Sequence, residues 1–267
     1  MRLKKSLSQI FLTNRSYLEK ISRLIDVENQ IVVEAGPGSG RMTQYLLGNR
    51  GHVLNSGDMS PELGTCPRKL YAVELDERMC LLLGEKFQST SNLKIIHGDI
   101  LNFDFSQLGE KAVFYGNIPY GISKKIVEYL IKNRRYLLRA YILCQKEFAE
   151  KLTAKAGSRG YGFLSCRVQY CAAAKKLLDV PRVVFSPPPK VDSTLVEINF
   201  RDAPLLEAPD EEKLFALLAL AFRFPRKQIG AILKNNVNGM VNLKLRPQDI
   251  SLRQYIEIAR APQFQPD

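Results

Sequence analysis

A strand that runs through a glycine-rich turn into a helix restricts the fold of this chain more than any other feature. Residues 30–34 read Gln-Ile-Val-Val-Glu, which is typical of a parallel strand buried on both faces. The turn Ala35-Gly36-Pro37-Gly38-Ser39-Gly40 follows, and a helix is predicted from about Met42. Gly36 and Gly38 allow the backbone to pass close to a ligand. This order predicts an α/β fold with a doubly wound sheet that binds a nucleotide.

Polar side chains stand at the ends of the next three predicted strands. Residues 70–74, 93–97 and 112–115 are apolar runs, and the chain that leaves them carries Glu74, Asp99 and Asn117. Parallel strands place their carboxyl ends at one edge of the sheet, so these side chains are expected around one ligand crevice. Glu74 is suited to accept hydrogen bonds from both ribose hydroxyls. Asp99 is suited either to an adenine amino group or to capping the following turn.

The distance between the glycines and Glu74 indicates an insertion. In dinucleotide-binding folds the acid follows the glycines by about 20 residues, and Glu74 lies further away than that. Residues 51–68, which contain several Gly, Pro and Asn residues, account for the excess as an inserted loop. We expect this loop to be exposed and partly mobile.

The segment Asn117-Ile118-Pro119-Tyr120 ends the fourth predicted strand abruptly. Pro119 fixes its own φ and has no N–H, so the strand cannot continue. The carboxamide oxygen of Asn117 and the flat ring of Tyr120 suit a planar base that carries an exocyclic amino group. Taken alone, these residues also fit a capped strand-to-helix turn, but the neighbouring strand ends favour the ligand. Phe185, at the rim of a proline-rich loop, is a candidate for a second stacking face.

The charge of the chain indicates a polyanionic partner. Lys and Arg number 39 against 27 Asp and Glu, which gives a formal net charge of +12. Residues 124–182 hold fourteen basic residues and only four acidic ones, so the excess is concentrated. No apolar run approaches the length of a membrane span, and the charged start lacks a signal core. Nucleic acid is therefore favoured over a membrane as the partner.

The cysteines predict a reducing compartment. The five cysteines form no C-x-x-C pair and only two histidines accompany them, so no metal site is expected. Free thiols are the simplest interpretation, and we expect a cytoplasmic protein.

The remaining patterns predict one large domain and one small one. A helix at 123–138, a strand at 141–144, a helix at 146–156 and a last strand at 195–200 continue the α/β pattern. Residues 185–190 contain three consecutive prolines and are predicted to form a stiff loop that cannot join a sheet. A linker at 203–210 precedes predicted helices at 211–222, 227–235 and 251–260. The predicted domains are residues 1–203 and a helical domain, residues 204–267.

Several short motifs occur in the order found in the ribosomal RNA adenine dimethyltransferases of the KsgA/Dim type, which the chain resembles over nearly its whole length. The longest reads Phe185-Ser-Pro-Pro-Pro-Lys-Val-Asp-Ser193. The others lie at residues 9–12, 34–40, 73–76, 98–99, 117–120, 145–147, 161–165 and 222–227. The family usually has Asn or His where Ile10 stands, so only backbone or apolar contact is expected there.

The resemblance implies a Rossmann-like class I methyltransferase domain that uses S-adenosylmethionine, followed by a small helical domain that contacts RNA. The implied substrate is a pair of adjacent adenosines near the 3′ end of small-subunit ribosomal RNA, each methylated twice at N6. We expect a monomer that acts on an assembling subunit. By similarity, the methyl donor is held by Ile10, Leu12, Gly36, Gly38, Glu74, Asp99 and Asn117. The residues expected to bind RNA are Lys124, Lys125, Arg134, Arg135, Arg159, Arg223, Arg226 and Lys227.

The expected catalysis is by positioning. The side-chain oxygen of Asn117 and the backbone carbonyl of Ile118, which precedes Pro119, are predicted to accept the two hydrogens of the adenine amine. Tyr120 and Phe185 are predicted to stack on a base that has swung out of its helix.

Three other functions stay open on the sequence. The antibiotic-resistance enzymes that methylate one adenine of large-subunit RNA share the first four motifs. An NAD-dependent dehydrogenase shares the glycine turn and the acid, but it has no role for residues 117–120. A non-catalytic RNA-binding assembly factor is kept open by Ile10.

Overall fold

A computed structural model describes residues 10–48, 66–203, 205–206, 208–233 and 239–262. The predicted inserted loop at 51–68 therefore lies outside the described residues except for its last three. Two compact units are distinguished by their internal contacts. The first comprises the described part of Met1–Lys146 together with Lys175–Phe200, and the second comprises Glu147–Ala174 with the described part of Arg201–Asp267.

Nine strands and nine helices are assigned in the described residues. The strands are β1 Phe11–Leu12, β2 Ile31–Ala35, β3 Lys69–Glu74, β4 Leu93–His97, β5 Ala112–Asn117, β6 Leu137–Gln145, β7 Ala172–Val180, β8 Phe185–Ser186 and β9 Ser193–Phe200. The helices are α1 Arg15–Leu24, α2 Arg41–Leu46, α3 Glu77–Lys86, α4 Ser123–Lys132, α5 Lys146–Thr153, α6 Phe163–Cys171, α7 Ala208–Arg223, α8 Ile229–Leu233 and α9 Leu252–Arg260.

The main sheet has seven strands in the order β4-β3-β2-β5-β6-β9-β7. The strands from β4 to β6 pair in parallel, and β9 pairs antiparallel to β6. Along the chain, the order runs outward from β2 to β4 and then returns to β5 on the other side of β2. Such a switch point leaves a crevice at the carboxyl ends of the two central strands. The predicted Rossmann-like α/β fold is confirmed.

Apolar side chains from both the sheet and its helices form the main core of the first unit. The core includes Val32, Leu70 and Val113 of the strands, together with Ile21, Leu46 and Leu83 of the helices. All six are almost completely buried. Because the central strands are covered in this way, their polar ends are held in fixed positions at the sheet edge.

Two predictions about individual elements are wrong. The helix predicted at 123–138 ends at Lys132, and a single 3₁₀ turn leads into β6 at Leu137. Leu137 is buried and pairs with Ala112 of β5, so the sheet takes residues that the local pattern assigned to the helix. The proline-rich loop also joins a sheet, because Phe185 and Ser186 precede its first proline and pair as β8 with β1.

The second unit is helical around a cluster of aromatic rings. The ring centroid of Phe222 lies 6.1 Å from the ring centroid of Tyr161 and 6.0 Å from that of Tyr255. Ser251 caps α9, as predicted, by accepting from the Gln254 N–H. Residues 147–174 belong to this unit, so it begins earlier in the chain than the predicted boundary at 203. Residues 204–267 as an RNA-contacting domain stay a prediction. Among the helices of the described ranges, none combines the length and the apolarity of a membrane-spanning segment.

Candidate active site

A cavity of about 680 Å³ opens at the carboxyl ends of the central strands. Its lining includes every residue that the sequence predicted for the methyl donor and the adenine, namely Ile10, Leu12, Gly36, Gly38, Glu74, Asp99, Asn117, Ile118, Pro119, Tyr120 and Phe185. The strand ends thus meet around one cavity. The role of each residue there stays a prediction.

The glycine turn that forms one wall of the cavity has its glycine N–H groups bonded within the protein. Gly36, Gly38 and Gly40 have φ of 65°, 55° and 71°, in the left-handed region that favours glycine. Their N–H groups donate within the protein, to Val73 O, Glu74 Oε2 and Pro37 O, at 2.9, 2.9 and 3.0 Å. In dinucleotide-binding folds the turn approaches a pyrophosphate instead. Because these three amides are already satisfied, the turn does not favour a dinucleotide.

Neighbouring side chains also crowd two of the glycines in this turn. A Cβ on Gly38 would collide with the ring of Phe11, and a Cβ on Gly40 would lie 2.6 Å from Leu83 Cδ2. Gly36 differs, because a Cβ there would meet no protein atom within 4 Å. Gly36 lines the cavity, so the space beside it belongs to the cavity.

Glu74 is fixed by backbone hydrogen bonds and keeps capacity for more. Its Oε2 accepts from the Gly38 N–H and its Oε1 accepts from the Asp76 N–H, both at 2.9 Å. The residue is 7% exposed and lines the cavity. Each carboxylate oxygen can accept more than one hydrogen bond, so Glu74 can still accept from two ribose hydroxyls.

Asp99 performs the capping role that the sequence had left open. Its Oδ1 accepts from the Leu101 N–H at 2.9 Å and starts a short 3₁₀ turn. Its other oxygen makes no hydrogen bond within the described residues. Because Asp99 also lines the cavity, capping and binding of an adenine amino group are compatible.

Asn117 is oriented by the backbone of Ile10. Its Nδ2 donates to the Ile10 carbonyl at 3.2 Å. A carbonyl can only accept, so this bond fixes which end of the carboxamide carries the oxygen and leaves Oδ1 to accept from a ligand. The contact uses the main chain of Ile10, so it does not require the Asn or His that the family usually has there.

The residues after Asn117 form a rigid wall of the cavity. The Ile118 N–H donates to the Leu143 carbonyl at 3.0 Å and extends the pairing of β5 with β6 by one residue. Pro119 then ends the strand. The hydroxyls of Tyr120 and Ser193 lie 3.3 Å apart and share a hydrogen bond. Burial raises the pKa of Tyr120, although its hydrogen bond with Ser193 lowers it, so the phenol stays neutral.

Phe185 lines the cavity from within the core. Only 4% of it is exposed, and it belongs to the main apolar core of the first unit. It is therefore not the exposed rim residue that the sequence suggested. A base reaches this ring only by entering the cavity.

Glu34 is a cavity residue to which the sequence assigned no role. It is 1% exposed, and its Oε2 accepts from the Thr43 hydroxyl at 2.7 Å. Burial and, to a smaller extent, the nearby Glu74 raise its pKa to about 7, although the hydrogen bond from Thr43 and the charge of Lys86 lower it. An acid at the end of a strand that is otherwise apolar was the available signal.

Comparison with known proteins identifies the family. The model of the ribosomal RNA adenine dimethylase family matches residues 56–264. A relative from Mycoplasma mobile, the ribosomal RNA small subunit methyltransferase A, is 34% identical over 262 residues, which cover 94% of this chain and 95% of the relative. The protein of the same name from Prochlorococcus marinus is 34% identical over 275 residues, covering 96% and 94%. The chain belongs to the ribosomal RNA adenine dimethylase family.

Solved structures agree with this assignment. A dimethyladenosine transferase from Plasmodium falciparum has a TM-score of 0.75 and 25% identity, and the match covers 93% of this chain and 95% of that one. The 23S rRNA methyltransferase ErmE has a TM-score of 0.73 at 24% identity, covering 93% and 98%, and shows the likeness in fold alone. The predicted family membership and enzyme class are confirmed.

The basic residues predicted to bind RNA lie outside the cavity lining. In the first unit, Lys124, Lys125 and Arg135 are exposed, and Arg134 is half-buried with its Nη1 donating to the Ile131 carbonyl at 3.4 Å. Lys124 and Lys125 lie in the first turn of α4, a few residues after the cavity segment 117–120, whereas Arg134 and Arg135 lie in the turn between the end of α4 and β6. In the second unit, the exposed predicted residues are Arg159, Arg223, Arg226 and Lys227. Contact of these residues with RNA stays a prediction.

Proposed function

We propose that this chain transfers methyl groups from S-adenosylmethionine to N6 of two adjacent adenosines near the 3′ end of small-subunit ribosomal RNA, each adenosine being methylated twice. The family supports RNA adenine methylation, and the names of the relatives support the small subunit. The observation that carries the proposal is the Asn117 carboxamide, whose oxygen is left to accept in the cavity because its nitrogen is bound to Ile10.

The cavity chemistry fits S-adenosylmethionine. Its volume lies within the range of about 300–1,000 Å³ that is usual for small-molecule sites. Glu74 and Asp99 provide acceptors for ribose and adenine, and their negative charge favours a cation over a diphosphate. When bound, this group supplies a methyl carried by a positively charged sulfur. The satisfied amides of the glycine turn give the NAD-dependent alternative no support.

The chain contributes position and electrostatic complementarity to the reaction. An adenine amine is a poor nucleophile because its lone pair is delocalised into the ring. Asn117 Oδ1 and the Ile118 carbonyl accept the two hydrogens and turn the nitrogen towards the methyl. As the nitrogen gains positive charge, the same two dipoles stabilise it until a proton is lost to water. Alignment alone can contribute about 7–11 kcal/mol.

The aromatic rings of the cavity hold the base. Tyr120 and Phe185 provide apolar faces for an adenine that has left its RNA helix, and the cost of unstacking is recovered by the new contacts. After the first transfer only one hydrogen remains on the nitrogen, so one acceptor is enough to orient the second reaction.

The alternative of a non-catalytic assembly factor is less well supported than the enzyme. It rested on the missing side-chain hydrogen bond at Ile10, whereas the family to which the chain belongs is one of dimethylases. A monomer, an assembling subunit as the setting, and a cytoplasmic location stay parts of the proposal.

Methyl transfer to isolated RNA tests the proposal. The purified chain is incubated with methyl-labelled S-adenosylmethionine and with small-subunit RNA, large-subunit RNA, or partly assembled small subunits. Mass spectrometry of the nucleosides is expected to show N6-dimethyladenosine in small-subunit RNA or its particles and none in large-subunit RNA. Methylation of large-subunit RNA alone contradicts the small-subunit assignment. Failure to bind S-adenosylmethionine in a calorimetric titration contradicts the activity itself.

A further inference from the structure

An exposed aromatic ring stands at the end of α7 in the second unit. The 223–227 turn reads Arg-Phe-Pro-Arg-Lys and begins at Arg223, the last residue of the helix. Phe224 is 37% exposed, although the neighbouring Phe222 packs inward against Tyr161 and Tyr255. Phe222 thus anchors the helix end while Phe224 faces solvent. A single exposed apolar side chain is common at protein surfaces, so what this ring can bind is decided by the groups around it.

Hydrogen bonds and a proline fix the backbone of the 223–227 turn, which carries this ring. The Phe224 N–H donates to the Ala221 carbonyl at 3.2 Å, and the Lys227 N–H donates to the Phe224 carbonyl at 3.0 Å. Pro225, next to Phe224, fixes the φ of the turn. The backbone of the turn is therefore already ordered, and little further backbone ordering is needed when a ligand binds.

Cations surround the ring without acidic partners. The Arg223 guanidinium carbon lies 5.6 Å and Lys227 Nζ 4.7 Å from the centroid of the Phe224 ring. Within the described part of the chain, neither these two residues nor Arg226 forms an ion pair with a carboxylate. The dipole of α7 favours cations at its C-terminus. It does not account for an exposed aromatic ring among them.

We propose that the 223–227 turn is a stacking platform for one unpaired RNA base. The base takes the place of the Lys227 ammonium on the face of the Phe224 ring, and Lys227, together with Arg223 and Arg226, then binds the phosphates on either side of the base. Every base has a flat face, so the contact is independent of sequence, and the bases of a duplex cannot reach the ring. This inference rests on the proposed function only in taking RNA as the ligand.

A tryptophan at this position reports stacking directly. The chain contains no tryptophan, so the Phe224→Trp protein has a single indole. Titration with a short oligouridylate is expected to quench its fluorescence, since a stacked base quenches indole. Tyr71→Trp is the matched control, because Lys69 Nζ and Lys94 Nζ lie 5.3 and 5.9 Å from the Tyr71 ring in the first unit. Bound RNA without quenching at position 224, or equal quenching in both proteins, overturns the proposal.

Binding measurements separate stacking from charge. Phe224→Ala is expected to weaken binding of the single strand about tenfold, to leave binding of a duplex of equal length unchanged, and to keep the salt dependence. Phe224→Tyr is expected to restore affinity. Lys227→Gln, in contrast, is expected to reduce the slope of log affinity against log salt by about 0.7. Equal losses on single strand and duplex, or no rescue by Tyr, overturn the platform. Unchanged thermal unfolding midpoints exclude misfolding.

The experiments distinguish failure of the stacking platform from failure of the proposed function. If the Phe224 variants show the expected binding and quenching while no ribosomal RNA is methylated, the platform stands and the proposed function fails. If small-subunit RNA is methylated but Phe224→Trp is not quenched when RNA is bound, the proposed function stands and the platform fails.

Discussion

Asn117 shows how a distant backbone group sets the chemistry of one side chain. The sequence predicted an amide that accepts from an adenine amine, and the residue lines the cavity as expected. Its orientation depends on the carbonyl of Ile10, which is 107 positions away in the chain. No local pattern in the sequence indicates that contact. The contact uses the main chain, so it does not depend on which side chain stands at position 10.

The Tyr120 ring and its hydroxyl make separable contributions. Tyr120→Phe removes the hydrogen bond to Ser193 and keeps the flat face, whereas Tyr120→Ala removes both. We expect Tyr120→Ala to raise the KM for RNA by about ten- to a hundredfold, because base–aromatic stacking is worth about 1–3 kcal/mol. Tyr120→Phe is expected to have a much smaller effect. Steady-state kinetics with small-subunit RNA measure this, and equal losses in the two variants would show that the hydroxyl, not the face, is what matters.

Glu34 should make stability depend on pH. Its folded pKa of about 7 lies above its ordinary value of 4.5, so the folded protein holds a proton that the unfolded chain releases. The stability that this group contributes is complete below pH 4.5 and is lost as the pH rises through about 7. Glu34→Gln cannot ionise and avoids this loss. Its stability relative to the unmodified protein should rise by up to about 3 kcal/mol across that window. Urea unfolding at both ends of the window measures it, and a difference independent of pH would contradict the assignment.

At the scale of elements, two glycine substitutions distinguish the cost of backbone strain from the loss of contact with a ligand. Gly36 and Gly109 have φ of 65° and 76°, and a Cβ on either would meet no protein atom within 4 Å. Gly36→Ala and Gly109→Ala should therefore cost a similar 1–2 kcal/mol, roughly, in stability. Of these two glycines, only Gly36 lines the cavity. Calorimetry is expected to show at least tenfold weaker binding of S-adenosylmethionine for Gly36→Ala and normal binding for Gly109→Ala. Equal affinities in both variants would exclude close contact at Gly36.

The elements also show where sequence patterns are sufficient. Strands β2 to β5 were predicted within one or two residues, because buried parallel strands are short apolar runs with polar ends. The end of α4 was not, since residues 133–138 fit a helix locally and only the pairing of β6 with β5 takes them from it. The β1–β8 pair was missed for the same reason. It joins Phe11–Leu12 to Phe185–Ser186, and each strand has only two residues.

For the whole molecule, charge governs the encounter with RNA. The net charge of +12 predicts that RNA affinity falls steeply with salt. Lys125→Gln removes an exposed cation in the first turn of α4, and Arg135→Gln removes one in the turn that precedes β6. Each should reduce the slope of log affinity against log salt by about 0.7–0.9. Lys151→Gln is the control, because Lys151 already pairs with Glu147 at 2.9 Å. A slope that is flat, or equally reduced in all three variants, would argue against a specific basic face.

The division of the chain into two compact units was harder to predict from the sequence. The linker at 203–210 marked the start of a helical segment, but residues 147–174 pack with that segment from an earlier part of the chain. Composition identifies a linker because it is local. Membership of a compact unit depends on contacts between distant residues, such as the ring of Tyr161 against that of Phe222.

The yield of N6-dimethyladenosine from the Asn117→Ala protein tests the central claim most directly. Single-turnover reactions with small-subunit RNA and S-adenosylmethionine compare it with the unmodified chain and with Asn133→Ala, whose amide donates to the Tyr129 carbonyl and does not line the cavity. Loss of an acceptor aimed at the reacting amine should slow methyl transfer by about a hundred- to a thousandfold. Asn133→Ala should react at the normal rate. Dimethylation by Asn117→Ala at the rate of the unmodified chain would contradict the account.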